Sequence, residues 1–153
     1  MSVVGIHCDL IFSGNHLIVD RKILNKLFIP LTQIIRNAII HGLCHKNGEK
    51  KLRIFGEIKE NFLILLINNN GVEIDKEKLK EKLKEKNISV DEDKILDSIF
   101  LSGLSTKDTE DYMSGRGIGL DIVKNEIEKL NGKVTVYSEK DKGTVFKIMV
   151  PLN

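Results

Sequence analysis

The sequence has no tryptophan, two prolines and two cysteines, and aromatic residues make up only 5% of it. Cys8 and Cys44 are far apart and form no paired motif, which excludes a disulfide framework and suits reduced, inertly packed thiols. An excess of one charge is missing too. Lys plus Arg number 24 against 22 Asp plus Glu, and a net charge of +2 generates no long-range field to gather nucleic acid or an anionic membrane. No unbroken apolar run approaches bilayer length, and Met1-Ser2-Val3-Val4 lacks the basic-then-apolar layout of a secretory signal, so the expected compartment is the cytoplasm. Internal repeats and low-complexity linkers are absent.

What remains is 153 residues that are 41% apolar and 30% charged, the make-up of one globular domain, 1–153, around a single core. Apolar stretches on either side of Ser13-Gly14-Asn15 predict an opening hairpin between Val3 and Val19. Leu27, Leu31, Ile34, Ile35 and Ala38 recur at helical steps, with Pro30 kinking that helix or opening its main part, and the pattern stops near Gly42. Residues 52–58 and 62–67 predict a second hairpin turning at Lys59-Glu60-Asn61. Asp75 is placed to cap a helix through Lys86, and Asp91 to cap another that closes at Ile99-Phe100-Leu101. Ser102 to Ser114 reads as a long loop, a candidate lid. Ile118, Ile122, Val123, Ile127 and Leu130 make the strongest helical stripe, ended by Asn131-Gly132, and strands follow at 133–138 and 143–150. Hairpins combined with a few amphipathic helices imply an α+β two-layer sandwich, a mixed, mainly antiparallel sheet with helices on one face.

Two constellations carry chemistry. Gly115, Gly117 and Gly119 alternate where a loop enters a helix, offering unblocked amides and the positive end of a helix dipole to a phosphate, although glycines also serve tight turns. No strand leads directly into them and no Gly-Lys-Ser/Thr follows, which sets aside dinucleotide and P-loop readings. Asn37 and His41, one helical turn apart, project from the same face. They are either a hard oxygen ligand for magnesium beside a phosphate donor, or a helix-end pair bonded to nearby backbone. His41, Cys44 and His45 supply too few ligands for a zinc site, and His7 and His16 read as surface or packing residues.

Taken in order, Arg36-Asn37-Ala38-Ile39-Ile40-His41-Gly42, Asn70-Gly71 to Asp75, Phe100-Leu101-Ser102-Gly103-Leu104-Ser105-Thr106, Gly115 to Asp121, and Gly143-Thr144 with Val150-Pro151-Leu152 resemble the motifs of the nucleotide-binding domain of the chemotaxis histidine kinase CheA family. The resemblance covers nearly the whole chain and implies a Bergerat-type histidine-kinase ATPase fold that binds ATP and Mg and presents the γ-phosphate to a histidine on another domain. It implies that Asn37 holds magnesium and that His41 and Lys78 approach the phosphates. Gly115, Gly117 and Gly119 would wrap the triphosphate under a lid spanning 102–114, with Ser105, Thr106, Arg116, Ile118 and Leu120 also among the nucleotide-binding residues. Asn69, Gly71 and Thr144 would lie near the adenine. The implied partners are a phosphoacceptor histidine domain, a receptor-coupling protein and a response regulator, so the chain is expected to be a fragment or one module of a larger kinase.

Three positions depart from the pattern. Asn69 stands where the family has an Asp that accepts a hydrogen bond from the adenine amine, a change worth about 1–2 kcal/mol of binding. Glu73 replaces a glycine, with about 1–2 kcal/mol of strain if the backbone there needs a positive φ. Gln33 replaces a histidine and cannot take up a proton, which would slow phosphotransfer by about a hundredfold if that histidine acts as a base. These departures keep open a degenerate, non-catalytic module used for protein contact or nucleotide sensing. A serine kinase of the anti-sigma type is the third possibility.

Overall fold

A computed structural model describes residues 2–3, 6–14, 17–101 and 119–152. Short strands β1 (Ser2–Val3) and β2 (Ile6–His7) pair with one another. A separate five-stranded sheet contains β3 (Asp9–Gly14), β4 (Lys51–Lys59), β5 (Phe62–Asn69), β6 (Lys133–Glu139) and β7 (Gly143–Pro151), in the order β3-β4-β5-β7-β6. Only β3–β4 is parallel. The expected opening hairpin at Ser13-Gly14-Asn15 is therefore not formed. Asp9 to Gly14 runs alongside Lys51 to Gly56, and a parallel pair needs a long crossover.

That crossover contains helix α1 (Arg21–Asn37), which starts earlier than its apolar stripe because the Asp20 side chain accepts the Lys22 N–H at 2.8 Å. Pro30 is buried inside the helix rather than opening it. A π turn (Ala38–Leu43) continues α1, its carbonyls reaching one residue further so that Cys44 N–H bonds Ile39 O at 2.8 Å. Although no apolar run in the sequence is of bilayer length, the continuous helix Arg21–Leu43 reaches 23 residues at hydropathy 1.2. Its stripe of Leu27, Ile34, Ala38, Ile39 and Leu43 is buried against the sheet, each large side chain contributing about 1.5–3 kcal/mol.

Alternate residues of β4 to β7 face the helices. Leu52 and Ile54 of β4, Leu63 and Ile67 of β5, Val136 of β6, and Phe146, Ile148 and Val150 of β7 complete the core with Val123 and Ile127 of helix α3 (Leu120–Lys129). The molecule is thus the expected α+β sandwich with its helices on one face. Helix α2 (Lys76–Glu85), capped by Asp75, lays Leu79 and Leu83 on Ile95 in a smaller cluster. Asp91 caps no α-helix; Glu92–Lys94 and Leu96–Phe100 are short 3₁₀ turns. Cys8 packs at the core margin, whereas Cys44, expected to pack, is exposed.

Candidate functional site

Gln33, Asn37 and His41 follow one another at four-residue steps along α1 and its π turn, the first two half-buried and His41 exposed. The Asn37 side chain makes no capping hydrogen bond at the start of the π turn, which removes one form of the purely structural reading. A carboxamide oxygen on a half-buried helix face is a hard donor of the kind magnesium accepts as a single protein ligand while keeping its waters. Around His41 the neighbouring protein removes enough solvent to push its pKa below the usual histidine value even though the residue reaches the surface. The positive charges of His45 and Lys82 push the same way. Lys82 lies one helical turn beyond Lys78 on α2, hence on the same face. Lys78 itself is exposed, with its amide bonded to Asp75.

The core-facing stripe of the sheet turns polar at its last rung, where Leu52, Asn69, Thr144 and Ser138 are cross-strand neighbours. Asn69 is 2% exposed and Thr144 5%. Asn69 Oδ1 accepts the Gly71 N–H at 2.9 Å. Ser138 Oγ accepts the Ile74 N–H at 2.8 Å and lies 2.9 Å from Thr144 Oγ1, so the strand end holds the chain leading to α2. Asn70 points the other way, accepting the Lys51 N–H at 2.8 Å and donating to Glu49 O at 3.0 Å.

Close approach explains the glycines here. A Cβ on Gly42, in the π turn, would come to 2.5 Å from Asn69 Oδ1, and one on Gly71 would strike the Gly42 carbonyl and lie 2.7 Å from its Cα. Val72 N–H then bonds Gly42 O at 2.9 Å. Gly143 combines a φ of +89° with a Cβ position that overlaps Asn69 O. Gly71 is therefore a packing residue first. Glu73, by contrast, is not among the residues with positive φ, so the strain anticipated for it is absent.

Helix α3 brings its N-terminus to the same end of the sheet. Gly132, just past its C-terminus, is enclosed by Met149 O, Val150 and Ile127, so the helix finishes over the far end of β7 from Thr144. Ile29, at the middle of α1, lines a depression with Ile122, Asn125, Glu126, Glu128 and Lys129. With Gly42, past the end of α1, packed on Asn69 and Gly132, past the end of α3, packed on Met149, the two helices run in opposite senses, with Gly119 at the α3 N-cap and Leu120 buried. The depression contains none of the candidate site residues. Ser105, Thr106, Gly115, Arg116, Gly117 and Ile118 fall outside the described residues, as do the lid segment and His16.

Packing of Gly42 on Asn69 and Gly71 puts the π turn that carries His41, the Asn69–Thr144 rung and Gly71 at one end of the sandwich; Asn37 lies just before that π turn, and α3 points its N-terminus, Gly119 and Leu120, the same way. Their combined offer is the positive end of a helix dipole, an oxygen ligand, cationic side chains and a buried polar rung. Sequence reasoning missed Ser138 and Lys82 and named Asn70 only as the start of a glycine motif. Lys82 was discoverable as the residue one turn beyond Lys78; nothing local marks Ser138.

Comparison with known proteins agrees with this fold. Residues 27–153 match the family of histidine kinase-, DNA gyrase B- and HSP90-like ATPases. The chemotaxis protein CheA of Rhizobium meliloti is 31% identical over 98% of this chain and 22% of its own length. CheA of Listeria innocua is 33% identical over 97% of this chain and 26% of its own. The chain thus spans about a quarter or less of the curated relatives it matches. Among solved structures, the catalytic domain of histidine kinase ThkA superposes with a TM-score of 0.62 at 23% identity, covering 95% of this chain and 80% of that one. The blue-light activated histidine kinase of Erythrobacter litoralis gives 0.63 at 14% identity over 95% of this chain and 35% of that one. By its family match and its sandwich architecture, the chain belongs to the histidine kinase-, DNA gyrase B- and HSP90-like ATPase family.

Proposed function

We propose that this chain is the nucleotide-binding catalytic module of a larger CheA-like histidine kinase, operating in the cytoplasm. It would bind ATP with Mg and present the γ-phosphate to a histidine on another domain. One observation carries the reading: the C-terminal end of α1, the buried Asn69–Thr144 rung and the start of α3 converge on one end of the sheet. When bound, magnesium would neutralise phosphate charge; the chain's own residues supply position. Asn37 offers the metal an oxygen, and His41, Lys78 and Lys82 face the phosphates. The amides at the start of α3, with Gly115, Gly117 and Gly119, receive the triphosphate. Phosphoryl transfer of this kind depends on positioning and electrostatics, with no covalent role for the protein. The phosphoacceptor domain, a receptor-coupling protein and a response regulator are the partners that CheA-like identity implies.

A non-catalytic module of the same fold is the second reading, favoured by Gln33, which cannot take up a proton at the position of the family histidine. Titration calorimetry with ATP, with and without magnesium, separates them. Saturable, magnesium-enhanced binding that weakens about tenfold or more in Asn37→Ala supports the first. Absence of heat at millimolar ATP removes it.

A further inference from the structure

The two ends of the Asn69 carboxamide differ in chemistry, the oxygen accepting and the nitrogen donating. Which end is which follows from its partner. A backbone N–H can only donate, so the atom 2.9 Å from Gly71 N is Oδ1. Gly42 packs beside this amide, where an added Cβ would come to 2.5 Å from Oδ1 and 3.4 Å from Nδ2. The other end of the amide, Nδ2, is a donor. Thr144 does not change that polarity, because its hydroxyl shares a proton with Ser138 Oγ 2.9 Å away and can present either sense.

If the triphosphate takes the start of α3 and Asn37, as proposed above, the base is left with the Asn69–Thr144 end. We infer, resting on that nucleotide-site reading, that the Asn69 amide selects a 6-oxopurine nucleotide, inosine or guanosine triphosphate, over the 6-aminopurine of ATP. A 6-oxo group accepts the Nδ2 hydrogens. A 6-amino group turns its own hydrogens toward them, leaving buried donors unpaired on both sides, and a mismatch of that kind discriminates strongly.

The test is competition binding with ATP, ITP and GTP, each with magnesium, on the wild-type chain and on Asn69→Asp. ITP should bind the wild type about 10- to 100-fold more tightly than ATP. GTP should share that preference unless its 2-amino group meets a wall. In Asn69→Asp one carboxylate oxygen keeps the Gly71 N–H and the other becomes an acceptor, so the order should reverse in favour of ATP. If wild type binds ATP as tightly as ITP, or if a folded Asn69→Asp keeps the wild-type order, the base-selection inference is overturned while the nucleotide site stands. Should the variant not fold, the wild-type comparison decides alone. Failure of all three triphosphates to bind overturns the site itself and this inference with it.

Discussion

The contact between Gly71 and Gly42 gives the most calculable perturbation. Replacing Gly71 with alanine puts a Cβ on the Gly42 carbonyl and 2.7 Å from the Gly42 Cα, so the obstacle is backbone that cannot rotate away. Overpacking of this kind costs about 1–3 kcal/mol. Separating the two segments also strains the Val72 N–H to Gly42 O bond of 2.9 Å and the buried Gly71 N–H to Asn69 bond of 2.9 Å, each worth about 1 kcal/mol net. Stiffening the unfolded chain returns about 0.4–1 kcal/mol. The sum is a loss of about 2–4 kcal/mol, which at a urea m-value of about 2 kcal/mol/M lowers the unfolding midpoint by about 1–2 M. Gly48→Ala is the control: φ is +86° but nothing lies within 4 Å of the new Cβ, so only the left-handed strain of about 1 kcal/mol remains. If Gly71→Ala costs no more than Gly48→Ala, the close approach of the π turn to the end of β5 is wrong.

Asn70→Ala should cost about 1–3 kcal/mol in urea unfolding and speed hydrogen exchange at the Lys51 amide, because the carboxamide ties both Lys51 N–H and Glu49 O. Phe146→Ala should cost about 3–5 kcal/mol, since the ring is fully buried and meets Phe100 edge-on at 6.2 Å; a loss below 1 kcal/mol would contradict the packing. His41 has a folded pKa below its unfolded value, so the unfolded state takes up its proton first. Its stabilising contribution is complete above about pH 6.5 and is lost as the pH falls through the folded value. His41→Gln should flatten that part of the stability profile, and Lys82→Met should raise the His41 pKa seen by NMR titration, whereas an unchanged pKa would deny the proximity.

Regular elements were legible where side-chain period and turn chemistry agree. The hairpin through Glu60-Asn61 forms because both residues accept positive φ, at 52° and 67°, and α3 ends where Asn131 does the same at 60°. The opening was misread because a polar Ser-Gly-Asn stretch looks alike whether the chain turns back or leaves for a crossover; only the distant partner β4 decides. Asp91 satisfied the local cap pattern, but the segment after it is pinned by Ile95 and Phe100 into 3₁₀ turns too short to use a cap. The π turn has no local signature either. For the site, Asn37, His41, Asn69, Gly71 and Thr144 were proposed through motif order. Why Gly42 and Gly71 must both be glycine appears only when their backbones meet in space.

The claim on which the rest depends is that one end of the sandwich receives the triphosphate and the base. Mapping backbone amide shifts on a ¹⁵N-labelled chain titrated with ATP and magnesium tests it most directly. The account predicts saturable shifts concentrated at Asn37, Gly42, Gly71, Gly119 and Thr144, with Glu60, Asn61 and Gly132 at the opposite end unmoved. Shifts centred on Glu60 and Gly132 would contradict it, as would a spectrum unchanged at millimolar nucleotide.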